Sequence, residues 1–412
     1  GTLDLLAETA EVQRGEVNIE GVRVNVSGLV DTLCDSNPSL DLSVQTWVPL
    51  DAVTRLGLAL PDPSGQLLAH VHVTGRTDSP RVEGELQGSQ VKLGPFTPGD
   101  FSARAALSGT TVSLEEFVTR VGDGEVKVSG ELKLTDGLPV TARVETRDAS
   151  LGKALSRASI TGSWVDVPVS VKGVISGKLQ PTPNLGGDFD FKAGRFILAS
   201  RAFDGPETAG SDILAFKQSA GRFHLGVNSQ GVSFDDASVR VGVTEATRVG
   251  ASVKLWFDAK KGIDVSASAT AVDLSDFGGI AGLPMSGVGT ARATVSVVGS
   301  NVHVDGQATL REMKISGYSL GVVQSPIRYS GDTLSFPAIA AQKGQTQYFG
   351  EFDLGFRDVL HTRALVQLPD GRVEDVIDIL ADLSPTMQNL QDGAVTGRLS
   401  ALVAIDSPAS EL

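Results

Sequence analysis

The chain has 412 residues and a formal net charge of −14, and aromatic residues make up only 5% of it. The negative charge and the absence of a basic run argue against binding to nucleic-acid phosphates. A single cysteine, Cys34, excludes an intrachain disulfide and a cysteine-rich metal site. No segment reaches the roughly 20 apolar residues of a membrane-spanning helix, and no signal peptide is recognised.

Apolar and polar residues alternate along most of the chain, which predicts β-strands with one apolar and one polar face. Gly, Asn, Asp and Pro separate the runs at hairpin spacing, so the strands are expected to be antiparallel. The residues predicted to share the apolar, groove-facing side are Leu67, Val71, Val73, Val82, Leu86, Phe101, Leu107, Val126, Val128, Leu132, Leu134, Phe223, Leu225, Val227, Val253, Leu255, Phe257, Phe352, Leu354 and Phe356.

One break in the alternation is visible near the N-terminus. Val17 and Ile19 have one parity, whereas Val22, Val24 and Val26 have the other. A bulge inverts the face on which later side chains lie, so this change predicts a register break near Gly21.

Four short helical segments interrupt the strands, beginning at Asp51, Asp148, Asp273 and Val373. The last has an acidic face and an apolar stripe at helical spacing, made of Val373, Val376, Ile377 and Leu380. This stripe predicts packing onto the sheet, as a crossover or as a cap at one end of a groove. The alternative is an amphipathic helix that binds a partner.

The helical segments recur about every 100 to 125 residues, and similar strand pairs follow each of them. Such an internal repeat predicts units that bury their apolar faces through their neighbours. The predicted division is 1–50 as the end of a β-groove repeat, 51–147 as a repeat, 148–272 as a repeat with an insertion around Asp204 to Ser219, 273–372 as a repeat, and 373–412 as a helix and the start of another repeat.

Three all-β architectures compete for this pattern. A sandwich closes within about 100 residues and would leave linkers between copies, and none is recognised. A parallel β-helix has a period of roughly 20 residues. A long curled antiparallel sheet, with glycines for curvature, fits the uninterrupted alternation. The predicted fold is therefore all-β, a U-shaped hydrophobic groove with short helices between repeat units.

No pattern for catalysis or metal binding is recognised. His70 and His72 form an H-x-H that could supply two metal ligands. No third ligand is apparent beside them, so a solvated strand face is the prediction. The acidic runs at Asp188 and Asp235 lack the spacing of a calcium loop, and no G-x-S-x-G motif is present. The sequence predicts no catalytic residue, no metal, no cofactor and no enzyme activity.

Three segments resemble the AsmA-like family that includes TamB, which builds repeating β-grooves for bridge-like lipid transfer. They are TDSPRVEGEL ending at Leu86, GDGEVKVSGELKL beginning at Gly122, and RDASLGKAL beginning at Arg147. The resemblance implies a location in the periplasm of a Gram-negative bacterium and a groove that carries phospholipid acyl chains between the inner and outer membranes. It also implies an N-terminal inner-membrane anchor and a C-terminal region that engages an outer-membrane barrel protein. Neither is recognised here, so the chain is interpreted as an internal segment.

Three alternatives stay open. A structural or adhesive β-repeat protein would fill the apolar face with its own chain. A carbohydrate-active enzyme would need an acidic cluster with interleaved aromatic residues on the wet face, and Trp47, Trp164 and Trp256 are widely spread. The same groove could also carry lipopolysaccharide or another glycolipid, because acyl chains are chemically alike.

Overall fold

The structure is a computed structural model, and it describes residues 2–4, 8–19, 22–32, 36–55, 62–93, 96–157, 165–199, 212–216, 218–242, 247–258, 260–280, 284–298, 301–355, 361–392 and 395–408. It divides into an N-terminal unit, residues 1–161 and 169–189, and a C-terminal unit, residues 162–168 and 190–412. Strand accounts for 77% and helix for 9%, which confirms the predicted all-β class. No helix in the described ranges has the length and apolar character needed to span a membrane.

The described residues form 28 strands. In chain order the first half of the strands are β1 Thr2–Asp4, β2 Thr9–Ile19, β3 Val22–Asp31, β4 Ser39–Pro49, β5 Pro63–Arg76, β6 Arg81–Leu93, β7 Phe96–Ser108, β8 Thr111–Val121, β9 Gly124–Lys133, β10 Pro139–Arg147, β11 Ala149–Ser150, β12 Val165–Asp166, β13 Pro168–Lys178 and β14 Asn184–Ala193.

The remaining strands are β15 Phe196–Ala199, β16 Asp212–Phe216, β17 Ser219–Asn228, β18 Gly231–Val241, β19 Thr247–Trp256, β20 Ile263–Asp273, β21 Phe277–Ile280, β22 Met285–Val298, β23 Asn301–Ile315, β24 Tyr318–Ser330, β25 Thr333–Lys343, β26 Thr346–Gly355, β27 His361–Arg372 and β28 Arg398–Pro408. The helices are α1 Leu50–Arg55, α2 Leu151–Arg157, α3 Val373–Leu380 and α4 Pro385–Asp392, with 3-10 turns at Leu274–Asp276 and Ala381–Leu383.

The strands pair antiparallel with their neighbours in an open sheet, as predicted. In the N-terminal unit each of β1 to β9 pairs with the next strand, and β10 pairs with β13. In the C-terminal unit the order is β17 to β20 and then β22 to β28. A smaller sheet joins β12, β15, β16 and β21.

Within each unit the helices follow strands that run in the same direction, so they lie at the same end of the strands. In the N-terminal unit α1 follows β4 and α2 follows β11, so six long strands, β5 to β10, and the two-residue β11 lie between the two helices. In the C-terminal unit six strands, β22 to β27, separate the 3-10 turn and β21 from α3. The predicted division into repeat units stays a prediction.

Three of the four predicted helices are confirmed, as α1, α2 and α3. The prediction beginning at Asp273 was wrong beyond its first turn. There the chain makes a 3-10 turn over Leu274–Asp276 and continues as β21. Gly278 and Gly279 follow directly, and glycine costs a helix about 1 kcal/mol per residue relative to alanine.

The parity change near Gly21 comes from a hairpin and not from the predicted bulge. Ile19 pairs with Val22 and Val17 with Val24, so both sets of residues share one face. Gly21 itself lies outside the described residues, as does most of the predicted insertion from Asp204. Its later part contains β16, which pairs with β15 and β21.

Candidate functional site

The apolar residues predicted in the N-terminal unit lie on one continuous face, because the strand register brings them opposite each other. One row across the sheet joins Val73, Val82, Leu107, Val112, Leu132 and Val140. A parallel row joins Ala69, Leu86, Ala103, Phe117, Val128 and Val144. The remaining predicted positions share this face, namely Leu67, Val71, Phe101 and Val126. All except Ala69 and Ala103 are only half-buried.

The C-terminal unit repeats the arrangement. Leu225, Phe234 and Val253 lie opposite each other on β17, β18 and β19, and Val227, Val232 and Leu255 form the next row. Phe223 adjoins this patch, with its ring centroid 5.3 Å from that of Phe234. On β26, Phe352 lies opposite Phe336, with centroids 5.9 Å apart.

Four of the predicted groove-facing positions differ from the rest. Leu134 and Phe257 lie just beyond the ends of β9 and β19, and their side chains are 47% and 63% exposed. Leu354 is on the apolar side of β26 but is only 1% exposed, so it is a core residue. Phe356 lies outside the described residues.

Several residues of the apolar face were not predicted. Phe117 and Phe234 each adjoin a register shift, between Leu114 and Phe117 and between Phe234 and Ala237. The extra residue of a bulge changes the parity and hides the apolar run. Others follow strict alternation and could have been found from it: Val44, Val265, Val295, Val304 and Phe336.

One glycine of this face is required by a close approach. A Cβ on Gly88 would lie 2.2 Å from the Phe101 ring, because that ring covers the glycine across the strand pair. The same ring is 5.1 Å, centroid to centroid, from Phe117. Gly88 and the rings of Phe101 and Phe117 thus lie together on the apolar face.

Much of the apolar face remains in contact with solvent. Most of the described residues of its rows are only half-buried, and Leu134 and Phe257 at the strand ends are exposed. Exposed apolar patches above a few hundred Å² mark interaction sites in soluble proteins. The face is therefore the candidate functional site.

Helix α3 covers one part of this face in the C-terminal unit. Val376 and Ile379 pack against a buried cluster of Val323, Ala341, Tyr348 and Leu368. The Tyr348 hydroxyl donates a hydrogen bond to the Leu320 carbonyl, and burial raises the pKa of this phenol. Val376 of the predicted stripe thus packs onto the sheet and Ile377 is buried, whereas Ile379, which contacts the same cluster, was not part of the predicted stripe.

A hydrogen-bonded lock fixes α3 to the turn between β25 and β26. The Asp375 carboxylate accepts bonds from the Thr346 hydroxyl at 2.7 Å and from the amides of Gln345 and Thr346 at 2.9 and 3.0 Å. The Thr346 hydroxyl accepts a bond from the Arg372 amide at 2.8 Å. Gly344, at φ +57°, leaves room, because a Cβ there would lie 2.0 Å from Asp375.

The same lock occurs earlier in the C-terminal unit. The Thr247 hydroxyl donates to Asp276 at 2.8 Å and accepts from the Asp273 amide at 2.9 Å. Gly242, at φ +88°, stands in the place of Gly344. In both copies the amide belongs to the residue three positions before the aspartate. This recurrence is an internal structural repeat that the strand pattern does not reveal.

The opposite face is polar and carries ion pairs between exposed side chains. Arg104 lies 3.4 Å from Glu85, and Lys127 lies 3.1 Å from Glu125. Such pairs contribute little to stability. His72 lies 3.3 Å from Asp41 and His70 contacts Gln45, and the described residues contain no cluster suited to a metal ion.

An ion pair connects β23 of the sheet to the 3-10 turn between α3 and α4. Lys314 Nζ lies 2.6 Å from Asp382 Oδ2, and this hydrogen bond, with the charge of Lys314, lowers the pKa of Asp382. We expect Lys314→Met to raise the pKa of Asp382 towards 3.8, its ordinary value, in a carboxyl carbon NMR titration.

The sign of the pH effect follows from the lowered pKa. The contribution of the pair is present above pH 3.8, the ordinary pKa, and is lost as the pH falls through the lowered value. Lys133→Met, in the N-terminal unit, is the control and should leave the titration unchanged. An unaltered Asp382 titration in Lys314→Met would contradict the assignment.

Comparisons with known proteins found no matching family model, no matching curated protein and no matching solved structure.

Proposed function

We propose that this chain is a segment of a periplasm-spanning lipid-transfer protein whose apolar groove shields phospholipid acyl chains between the inner and outer membranes. The observation that carries the proposal is the half-buried apolar face that continues from strand to strand, as in the row from Val73 to Val140. The resemblance of the TDSPRVEGEL and GDGEVKVSGELKL segments to the AsmA-like family supports it.

The mechanism is passive burial. An acyl chain in water costs about 0.8 kcal/mol per exposed CH₂ group. A predominantly apolar face covers an acyl chain similarly at each strand, so a chain can move along it without a large barrier. The headgroup stays at the sheet edge in water. In the parent protein, an inner-membrane anchor and an outer-membrane barrel partner would supply the two ends of the path.

The test is lipid extraction and mass spectrometry of the chain, purified from bacteria without strong detergent. We expect stoichiometric phospholipid in the wild type and its loss in Val128→Asp. Val128 lies between Phe117 and Val144 on the neighbouring strands, so the charge would interrupt the middle of the apolar face. Leu132→Asp, on the same strand, and Leu134→Asp, just beyond its end, extend the series.

The matched control is Ser129→Asp, on the same strand but on the polar face opposite Arg143. It introduces the same charge and should retain the lipid. A folded, lipid-free wild type, or equal lipid loss in both variants, would contradict the proposal.

Two alternatives predict different spectra. A self-filled structural repeat is favoured locally by the α3 cover on Val323 and Leu368, and it predicts no bound lipid at all. A glycolipid carrier predicts masses with sugar headgroups in place of phospholipids.

A further inference from the structure

The polar face of the C-terminal unit contains an open hollow whose floor is made of small residues. Three strand-to-strand rows define it. The middle row is Ser252, Ser266, Thr294 and Asp305, and the outer rows are Gly250, Ser268, Arg292 and Gln307, and Lys254, Asp264, Ser296 and His303. The hollow is open to solvent, and Ser266 and Ser268 in its floor are exposed.

Two adjoining volumes, of about 910 and 460 Å³, share Ser252, Ser266, Thr294 and Asp305. Ligand sites typically enclose roughly 300–1,000 Å³. The polar face of the N-terminal unit differs, because long paired side chains such as Arg104 and Glu85 occupy it. The hollow is lined by residues of β18 to β24.

The rim is held by hydrogen bonds between its own side chains. Arg292 donates to Gln307 at 2.9 Å, and His303 lies 2.9 Å from Asp305. At one end the Trp256 indole N–H donates to Asp264 at 2.7 Å, and Lys254 Nζ lies 3.7 Å from the centroid of the Trp256 ring. Within the described part of the chain, the hydroxyls of Ser252, Ser266 and Ser268 make no hydrogen bond, so they are available to a ligand.

The chemistry of the lining selects the kind of ligand. The rim carries both charges, Lys254 and Arg292 against Asp264 and Asp305, so neither a polyanion nor a polycation is favoured. Hydroxyls on neighbouring strands recur about every 4.8 Å and offer donors and acceptors in alternation. A hydroxyl-rich, uncharged molecule can donate hydrogen bonds to the carboxylates and accept them from the cationic side chains.

We propose that this hollow binds a neutral oligosaccharide, a function separate from lipid shelter on the opposite face. The probes are cellotetraose, chitotetraose and maltotetraose, titrated into the whole chain by calorimetry and by saturation-transfer NMR. We expect at least one to bind with a millimolar or lower Kd. Ser266→Tyr, which fills the floor with a residue that suits an exposed strand, should weaken this binding at least tenfold.

The matched control is Ser176→Tyr, an exposed polar-face position on β13 of the N-terminal unit, which should bind as the wild type does. Arg292→Met, which leaves the floor unchanged and removes the rim bond to Gln307, should also weaken binding. It keeps the test decisive if Ser266→Tyr fails to fold. Absence of binding by all three sugars, or equal binding by wild type and Arg292→Met, would overturn the proposal. Neither result bears on lipid content.

Discussion

Leu354→Ala is expected to lower the free energy of local unfolding of β26 by about 3 kcal/mol. Leu354 is 1% exposed and lies between Leu334, 9% exposed, and Thr362, fully buried, on the adjoining strands. Truncation leaves a cavity there. Amide hydrogen exchange measures the effect strand by strand, and the amides of Thr346–Gly355 should exchange roughly 150-fold faster.

The matched control is Leu402→Ala on β28, where the leucine is 70% exposed. Its truncation should change the free energy of local unfolding, measured by hydrogen exchange, by less than about 1 kcal/mol, because the leucine side chain buries little apolar area. Equal effects of the two variants would show that Leu354 is not a core residue. The experiment also distinguishes Leu354 from the half-buried residues of the apolar face, with which its alternation groups it.

Asp375→Ala is expected to cost about 2 kcal/mol in the attachment of α3 to the sheet. The substitution leaves the fully buried Thr346 hydroxyl and two backbone amides without their acceptor. A carboxylate acceptor contributes more than a neutral one, which explains the size of the effect. The amides of Val373–Leu380 should exchange roughly 30-fold faster than in the wild type.

Asp378→Ala is the control on the same helix, since Asp378 accepts one bond, from Gln391, at an exposed site. Asp375→Asn keeps one acceptor oxygen and should recover part of the loss. If Asp378→Ala loosened α3 as much as Asp375→Ala, a general effect of acidic residues on the helix would replace the lock as the explanation.

The fold follows from the sequence wherever alternation is uninterrupted, since a period of two fixes both the strand and its apolar face. The row from Val73 to Val140 is of this kind. The prediction of which residues share the apolar face failed where a bulge or a turn changes the parity of the alternation. Bulges conceal Phe117 and Phe234, and a hairpin at Ile19 and Val22 imitates a register break.

The rest depends on contacts between residues distant in the chain. Asp375 and Thr346 are 29 positions apart, and no local pattern connects a helical aspartate with a buried threonine in a turn. The polar hollow is equally hidden. In the sequence, its floor residues look like ordinary serines on the solvent-exposed face of a strand. Only the register of β19, β20 and β22 shows that they lie side by side.

In the N-terminal unit, α1 and α2 are separated by a block of six long strands, β5 to β10. The length of the sheet can therefore change in blocks of six strands. Strands lie about 4.8 Å apart, so one added block of six extends a sheet by about 29 Å without altering any existing contact. Duplication of such a block is a single genetic event that leaves both ends intact. The length of a sheet built this way is therefore set by the number of its six-strand blocks.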